Sequence, residues 1–193
     1  MFVMTVDQRA SRRDVDRVDP VLREFADAPL VRPFERTAGD EVQAIADRAD
    51  AVVDLALELA ARGHWSVGIG LGPVESPLPA STRAGRGQAF EAARDAVDRA
   101  KNLPGSIAVT GPDPAAAADA ETALMLVALL VSRRSEQGRD AVAAMRDGLT
   151  QAQAAQRLGI SKQAISQRLA VAGWQAETAG RTLAQRLLQE AAR

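Results

Sequence analysis

Leu149-Thr-Gln-Ala-Gln-Ala-Ala-Gln-Arg-Leu-Gly-Ile-Ser-Lys-Gln-Ala-Ile-Ser-Gln-Arg-Leu169 is the stretch on which the reading of this chain turns. Thr150 is placed to cap a first helix by accepting a backbone N–H, which leaves Gln151 to Leu158 helical. Ala155 is small where two helices must approach closely. Gly159 suits the left-handed conformation that ends a helix. Ser161 then caps a second helix from Lys162 to about Ala172. Ala155, Leu158, Ile160, Ile165 and Leu169 supply a buried side. The spacing predicts a helix-turn-helix whose second helix turns Gln163, Ala164, Ser166, Gln167 and Arg168 outward. Those side chains are short or hydrogen-bonding, as contacts to base edges and phosphates require.

A plain pair of packed helices shares the small–Gly–aliphatic spacing, but packing alone does not call for a Gln/Ser/Arg-rich second helix. The pattern resembles the helix-turn-helix of sigma-factor region four and of LuxR-type regulators, where an Arg-Leu pair closes the second helix. The resemblance implies double-stranded DNA as partner. Lys162, Gln163, Ser166, Gln167 and Arg168 are then the expected contacts, with Thr150 or Gln151 near phosphate.

The chain has 193 residues, 47% hydrophobic and 25% charged, which is ordinary for a globular protein. That length allows one compact domain with a smaller one appended. The absence of cysteine excludes disulfides, thiolate metal ligands and thiol catalysis. No secretory pattern opens the chain, and the longest apolar run, Ala123 to Val131, is short of a membrane span. The expectation is a cytoplasmic protein with no membrane partner. The net charge of −1 hides an asymmetry. From Val131 onward there are ten Lys/Arg against five Asp/Glu, whereas the remainder carries 14 against 20. A basic end holding the helix-turn-helix is the electrostatic footprint of a phosphate-binding module.

Upstream, Phe2-Val-Met-Thr-Val6 reads as a buried strand ending at Asp7. Asp14 to Ala26 carries a helical stripe of Val15, Val18, Val21, Leu22 and Phe25. Leu30 to Thr37 reads as extended, and Gly39-Asp40 turns it back into a strand over Glu41 to Ile45. A helix follows through Val52, Val53, Leu55, Leu57 and Leu59 until Gly63 stops it. Trp65 to Leu71 is a strand, Gly72 to Gly87 a loop, Ala89 to Ala100 a helix and Ile107 to Thr110 a strand. The order β-α-β-β-α-β-α-β predicts an α+β, ferredoxin-like or nucleotidyl-cyclase-like sheet with helices on one face.

Everything after Pro114 reads as helical: Ala115 to Arg133, Arg139 to Asp147, the helix-turn-helix, and a terminal amphipathic helix from Thr182 to Ala192. The domains expected are an α+β domain over 1–113, a connecting or dimerisation helix over 114–134, and an all-α helix-turn-helix domain over 135–193. Leu124 to Val131 is more apolar than one packed face needs, so it reads as core or as a dimer seam. Symmetric DNA half-sites favour a homodimer.

Two carboxylates stand out. Asp7 ends the first strand and Asp40 sits in the hairpin turn. In neighbouring strands they could converge on a hard cation such as Mg²⁺; spacing alone favours a turn residue and a cap. Val6-Asp-Gln-Arg-Ala-Ser-Arg12, Thr37-Ala-Gly-Asp-Glu-Val-Gln43, Val67-Gly-Ile-Gly-Leu-Gly72 and Gly85-Arg-Gly-Gln-Ala-Phe-Glu-Ala-Ala-Arg94 together resemble the SatD family. Members of that family often end in a helix-turn-helix. The same pieces resemble class III nucleotidyl cyclases. That resemblance implies metal-binding roles for Asp7 and Asp40, a base-contacting role for Arg36 and a nucleotide-contacting role for Arg94.

The cyclase helix carries Asn four residues before that arginine, and this chain has Phe90, which cannot make the positioning hydrogen bond. The Gly72–Gly87 loop offers only Arg83 and Arg86 to a triphosphate. The expectation is a degenerate cyclase-like domain without turnover, serving dimerisation or the sensing of a nucleotide or Mg²⁺. The alternative is a metal-dependent nucleotide enzyme with a regulatory tail. Gly68-Ile-Gly-Leu-Gly72 is no dinucleotide fingerprint, because Pro73 follows where a helix should begin. His64, the single histidine, makes no zinc site without cysteines.

Overall fold

The computed structural model describes residues 1–193. Strand β1 (Phe2–Gln8) is the centre of a five-stranded sheet. It pairs antiparallel with β3 (Glu41–Ala46) on one side and with β4 (Trp65–Leu71) on the other. Outside these lie β2 (Arg32–Ala38), antiparallel to β3, and β5 (Ile107–Thr110), parallel to β4, giving the order β2-β3-β1-β4-β5. A strand with neighbours on both edges and cover on both faces has no solvated side, which is why β4 and the first half of β1 are apolar or small, while Asp7 and Gln8 come where β1 leaves that cover.

Connections cross over strands. The short α1 (Val18–Glu24) carries the chain from β1 past β3 to β2. Helix α2 (Ala49–Ala61) carries it from β3 past β1 to β4. Helix α3 (Gln88–Ala100) then joins β4 to its parallel neighbour β5. The architecture is α+β with a mixed sheet.

The helices occupy both faces, not one. Phe2, Met4 and Val6 of β1 share a core with Val67, Ile69 and Leu71 of β4 and with the inner sides of α2, α4 (Pro114–Ser132) and α8 (Trp174–Ala191). Val3 and Ile45 point the other way, onto Ala89, Phe90 and Ala93 of α3. The alternation in β4 explains how both layers fit. Its odd residues are large and face α2 and α4. Gly68 and Gly70 face α3, and a Cβ on Gly70 would lie 2.0 Å from the Ala89 carbonyl and 2.3 Å from the Ala93 nitrogen. The helix backbone rests where side chains would normally stand.

Helix α1 is shorter than the stripe over Asp14 to Ala26 predicts. Its start is delayed because buried Gln8 holds the preceding segment extended: Gln8 Nε2 donates to the Val15 carbonyl at 2.8 Å, and Gln8 Oε1 accepts from the Arg17 N–H at 2.9 Å. The high apolarity of α4 is met by burial on two sides, against the β5–α2 layer and against α8. By length and composition alone α4 could cross a membrane. Leu126 is the large residue on it that stays 60% exposed.

Helices α5 (Glu136–Arg146), α6 (Gln151–Arg157) and α7 (Lys162–Val171) form a separate small core of Ala141, Val142, Ala144, Ala154, Ala155, Ile165, Leu169 and Ala172. Helix α8 begins eight residues earlier than the sequence suggests and returns to the sheet, where Ala184, Leu188 and Ala191 join the main core.

Thr150 caps α6 in a capping box: its hydroxyl accepts from the Gln153 N–H at 3.3 Å while Gln153 Oε1 accepts from the Thr150 N–H at 2.9 Å. Gly159 takes φ +64° after α6, as the turn requires, and Ser161 Oγ accepts from the Ala164 N–H at 3.1 Å to start α7. Thr150→Ala is expected to cost about 1 kcal/mol, read as a lowered urea midpoint. An unchanged midpoint would mean that the box contributes nothing to the fold.

Candidate nucleic-acid interface

Helix α7 lies on α5 and α6 through Ile165 and Leu169, both buried. That anchoring fixes which residues look out. Lys162, Gln163, Ser166 and Gln167 are exposed, and Arg168 is partly so. Positions i, i+1, i+4 and i+5 share one side of a helix, so the four exposed residues form a single polar stripe. Arg168 stands at its edge, where it lines a shallow cleft of about 260 Å³ with Gln167 and Ser135. Gln151 and Ser166 line a second cleft of about 330 Å³ where α6, α7 and the start of α8 meet. Thr150 is exposed, but its hydroxyl is committed to the capping box.

The charge around this stripe is one-sided. Between Asp147 and Glu177 the chain carries Arg157, Lys162 and Arg168 and no carboxylate. Arg157 pairs with Asp147 at 2.5 Å. Lys162 and Arg168 have no acidic partner, so both charges remain available to an anion.

The three-helix unit is tied to the body through Glu177, a residue that sequence reasoning missed. Its side chain is 1% exposed and sits among three guanidinium groups. Arg134 Nη2, itself buried, donates to Glu177 Oε2 at 2.7 Å, and Arg181 Nε donates to Oε1 at 2.8 Å. Arg146 at the end of α5 also donates to Oε1. Arg134 Nε donates to the Ala172 carbonyl at 2.8 Å, and Arg181 Nη1 reaches Asp54 of α2 at 2.6 Å. Burial pushes the Glu177 carboxyl pKa up, but the hydrogen bonds and charges of the arginines outweigh it and hold the group below its ordinary value.

The other predicted site residues divide. Asp7 and Asp40 do line one cavity. Arg36 is elsewhere: it donates to Asp16 at 2.8 Å, to Asp19 at 3.0 Å and to the Gly39 carbonyl at 2.9 Å, clamping α1 to the hairpin. Arg94 stands exposed on α3, 3.5 Å from Glu41. Neither arginine lines the cavity with the two aspartates. Phe90 is a core residue, packed with Val3 and Ile45.

The residues at the aspartates do not fit Mg²⁺. No three His, Asp or Glu side chains converge to hold a metal ion. The Lys101 ammonium stands 3.4 Å from Asp7, where the cation would be. Burial raises the Asp7 pKa, Lys101 pulls it back, and the nearby Asp40 and Glu41 charges push it up again, with a net rise. A strong cation site favours the ionised form instead. His64 Nδ1 lies 3.8 Å from Asp14 at the surface.

Compared with protein-family models, with curated proteins and with solved structures, the chain matches none.

Proposed function

We propose that this protein is a DNA-binding transcriptional regulator in which α6 and α7 form a helix-turn-helix and α7 enters the major groove. The observation that carries the reading is the α7 stripe: an acid-free, hydrogen-bonding surface with two uncompensated cations, mounted on a small core of its own. Amide and guanidinium side chains at that spacing suit the donor and acceptor patterns of base edges. Lys162, near the capped start of α7, suits a phosphate.

The body is read as a degenerate, ferredoxin-like or nucleotidyl-cyclase-like domain. Its strand order and interleaved crossovers support that reading. It supplies a dimer contact or a signal rather than turnover. Leu126 on α4 and Leu183 on α8, 60% and 41% exposed, lie on two helices that pack together and offer an apolar seam for a second copy. A homodimer would present two recognition helices to symmetric half-sites.

The alternative, a metal-dependent nucleotide enzyme, draws on the shared cavity of Asp7 and Asp40. Lys101 beside Asp7, the buried Phe90 and the dispersal of Arg36 and Arg94 count against it.

Arg168→Ala is expected to weaken duplex binding by about 1–3 kcal/mol if the guanidinium reads a base. Lys162→Ala is expected to lower the slope of log affinity against log salt by about 1. Both are read by fluorescence anisotropy over a salt titration. Unchanged curves would remove these side chains from the interface.

A further inference from the structure

A cavity of about 580 Å³ opens where the end of β1, the start of β4 and the end of α3 meet, a size typical of sites for small molecules. Ser66 lies against it, in register with Asp7 on the neighbouring strand. The Ser66 hydroxyl is fully buried, and it is the one buried side-chain polar atom in the protein without a hydrogen-bond partner. Buried hydroxyls are almost always paired, so an orphan at a cavity wall points to a bound atom that completes it.

The surrounding charge says what kind of atom. Arg12 and Arg13 line the mouth, exposed and without ion pairs. Lys101 stands inside, and Arg9 is held at the rim by donating to Ser106 Oγ at 2.6 Å. Four cations thus face two carboxylates, Asp7 and Asp40, and a third, Asp98, holds Lys101 at 2.9 Å from beside the cavity, which leaves one positive charge in excess. A divalent cation would be repelled by that balance, whereas an oxyanion would be drawn in. Arginine pairs suit the fork geometry of phosphate oxygens, and a serine hydroxyl adds a neutral donor. The two carboxylates need donors in return, and vicinal hydroxyl groups supply them.

We propose that this cavity binds a sugar phosphate unit, the phosphate held by Arg12, Arg13, Lys101 and Ser66 Oγ and the sugar hydroxyls donating to Asp7 and Asp40. The unit could come from a free sugar phosphate or from a nucleotide, which share this chemistry. Site and ligand stand apart from α7, so the assignment does not depend on the DNA-binding reading.

The test is isothermal titration calorimetry on the full chain with inorganic phosphate, ribose 5-phosphate and adenosine 5′-monophosphate. Both esters are expected to bind saturably and about tenfold more tightly than inorganic phosphate, a factor worth about 1.4 kcal/mol. The double variant Arg12→Ala/Arg13→Ala, changed only at exposed positions, is expected to lose about tenfold in affinity for each ester. Ser66→Ala is expected to weaken binding several-fold while leaving the melting temperature unchanged or raised, because its hydroxyl has no partner to lose in the free protein. Tighter binding of the nucleotide than of ribose 5-phosphate assigns the unit to a nucleotide, and equal binding assigns it to a free sugar phosphate. Three results would overturn the proposal: no heat with any probe, inorganic phosphate binding as tightly as the esters, or ester binding indifferent to the loss of both arginines.

Discussion

Glu177→Ala is expected to destabilise the protein by about 3–5 kcal/mol, the usual cost of stripping one partner from a buried ion pair. The cost is large because three guanidinium groups, those of Arg134, Arg146 and Arg181, converge on this one carboxylate. Arg134 is itself 4% exposed in its side chain and cannot turn to water without opening the joint between α4 and α5. The loss is read in the urea midpoint. A change below about 1 kcal/mol, the range of a surface pair, would contradict a buried joint.

The dependence on pH follows from the depressed carboxyl pKa. A carboxyl whose folded pKa lies below its unfolded value contributes stability that is fully present above the unfolded value. That stability is lost as pH falls through the folded one. The gap between wild type and Glu177→Gln is therefore expected to be widest near neutrality and to close in acid. A gap that widens in acid would reverse the sign and refute the assignment. The joint also has a mechanical consequence. Arg146 belongs to the three-helix unit, and Arg181 reaches Asp54 of the body. Loss of Glu177 leaves the Arg146–Glu58 contact, 3.6 Å long, as the ion pair that still joins α5 to α2 of the body.

Gly70→Val is the second change with a large expected effect. The new Cβ would lie 2.0 Å from the Ala89 carbonyl oxygen and 2.3 Å from the Ala93 nitrogen, both main-chain atoms of α3. No rotamer change can relieve a clash with backbone, so the helix must lift from the sheet. Overpacking a core typically costs about 1–3 kcal/mol. A clash with helix backbone belongs at the top of that range or above it. Thermal melts of wild type and variant measure the difference. A variant as stable as wild type would show that α3 does not rest directly on β4.

These two sites also mark where the sequence was readable and where it was not. Strands β4 and β5 could be read to the residue, because apolar residues at period two are bounded by Gly and Pro on either side. The alternation of glycine with aliphatic residues in β4 announced a strand, but not that its glycine face carries a helix. Knowing that needs the partner, which is 20 or so residues further along (roughly the spacing of a β-α unit). This is why helices were expected on one face only. The first half of α8 was hidden for a different reason. Glu177 points inward, and a charged residue reads as surface unless its countercharges are known to converge from Arg134, Arg146 and Arg181.

The candidate sites show the same divide. The α7 stripe is local, so helical period and two caps sufficed to orient it. Asp7 and Asp40 stand out in the sequence and do share a cavity. A Mg²⁺ role for them rests on neighbouring strands and on the cyclase resemblance, and neither brings in Lys101, Arg12 or Ser66, which the fold gathers at the same place. Arg36 was expected at a nucleotide and instead closes a hairpin against α1, since Asp16 and Asp19 reach it first.

The central claim is that α7 reads duplex DNA, and selection from a random-sequence duplex library by the purified full chain tests it most directly. The account predicts enrichment of a defined motif, as two half-sites about 10 base pairs apart if the chain dimerises. It further predicts that Gln163→Ala/Gln167→Ala loses the motif while the melting temperature stays that of wild type. No enrichment, together with no retention of any duplex at low salt, would contradict it.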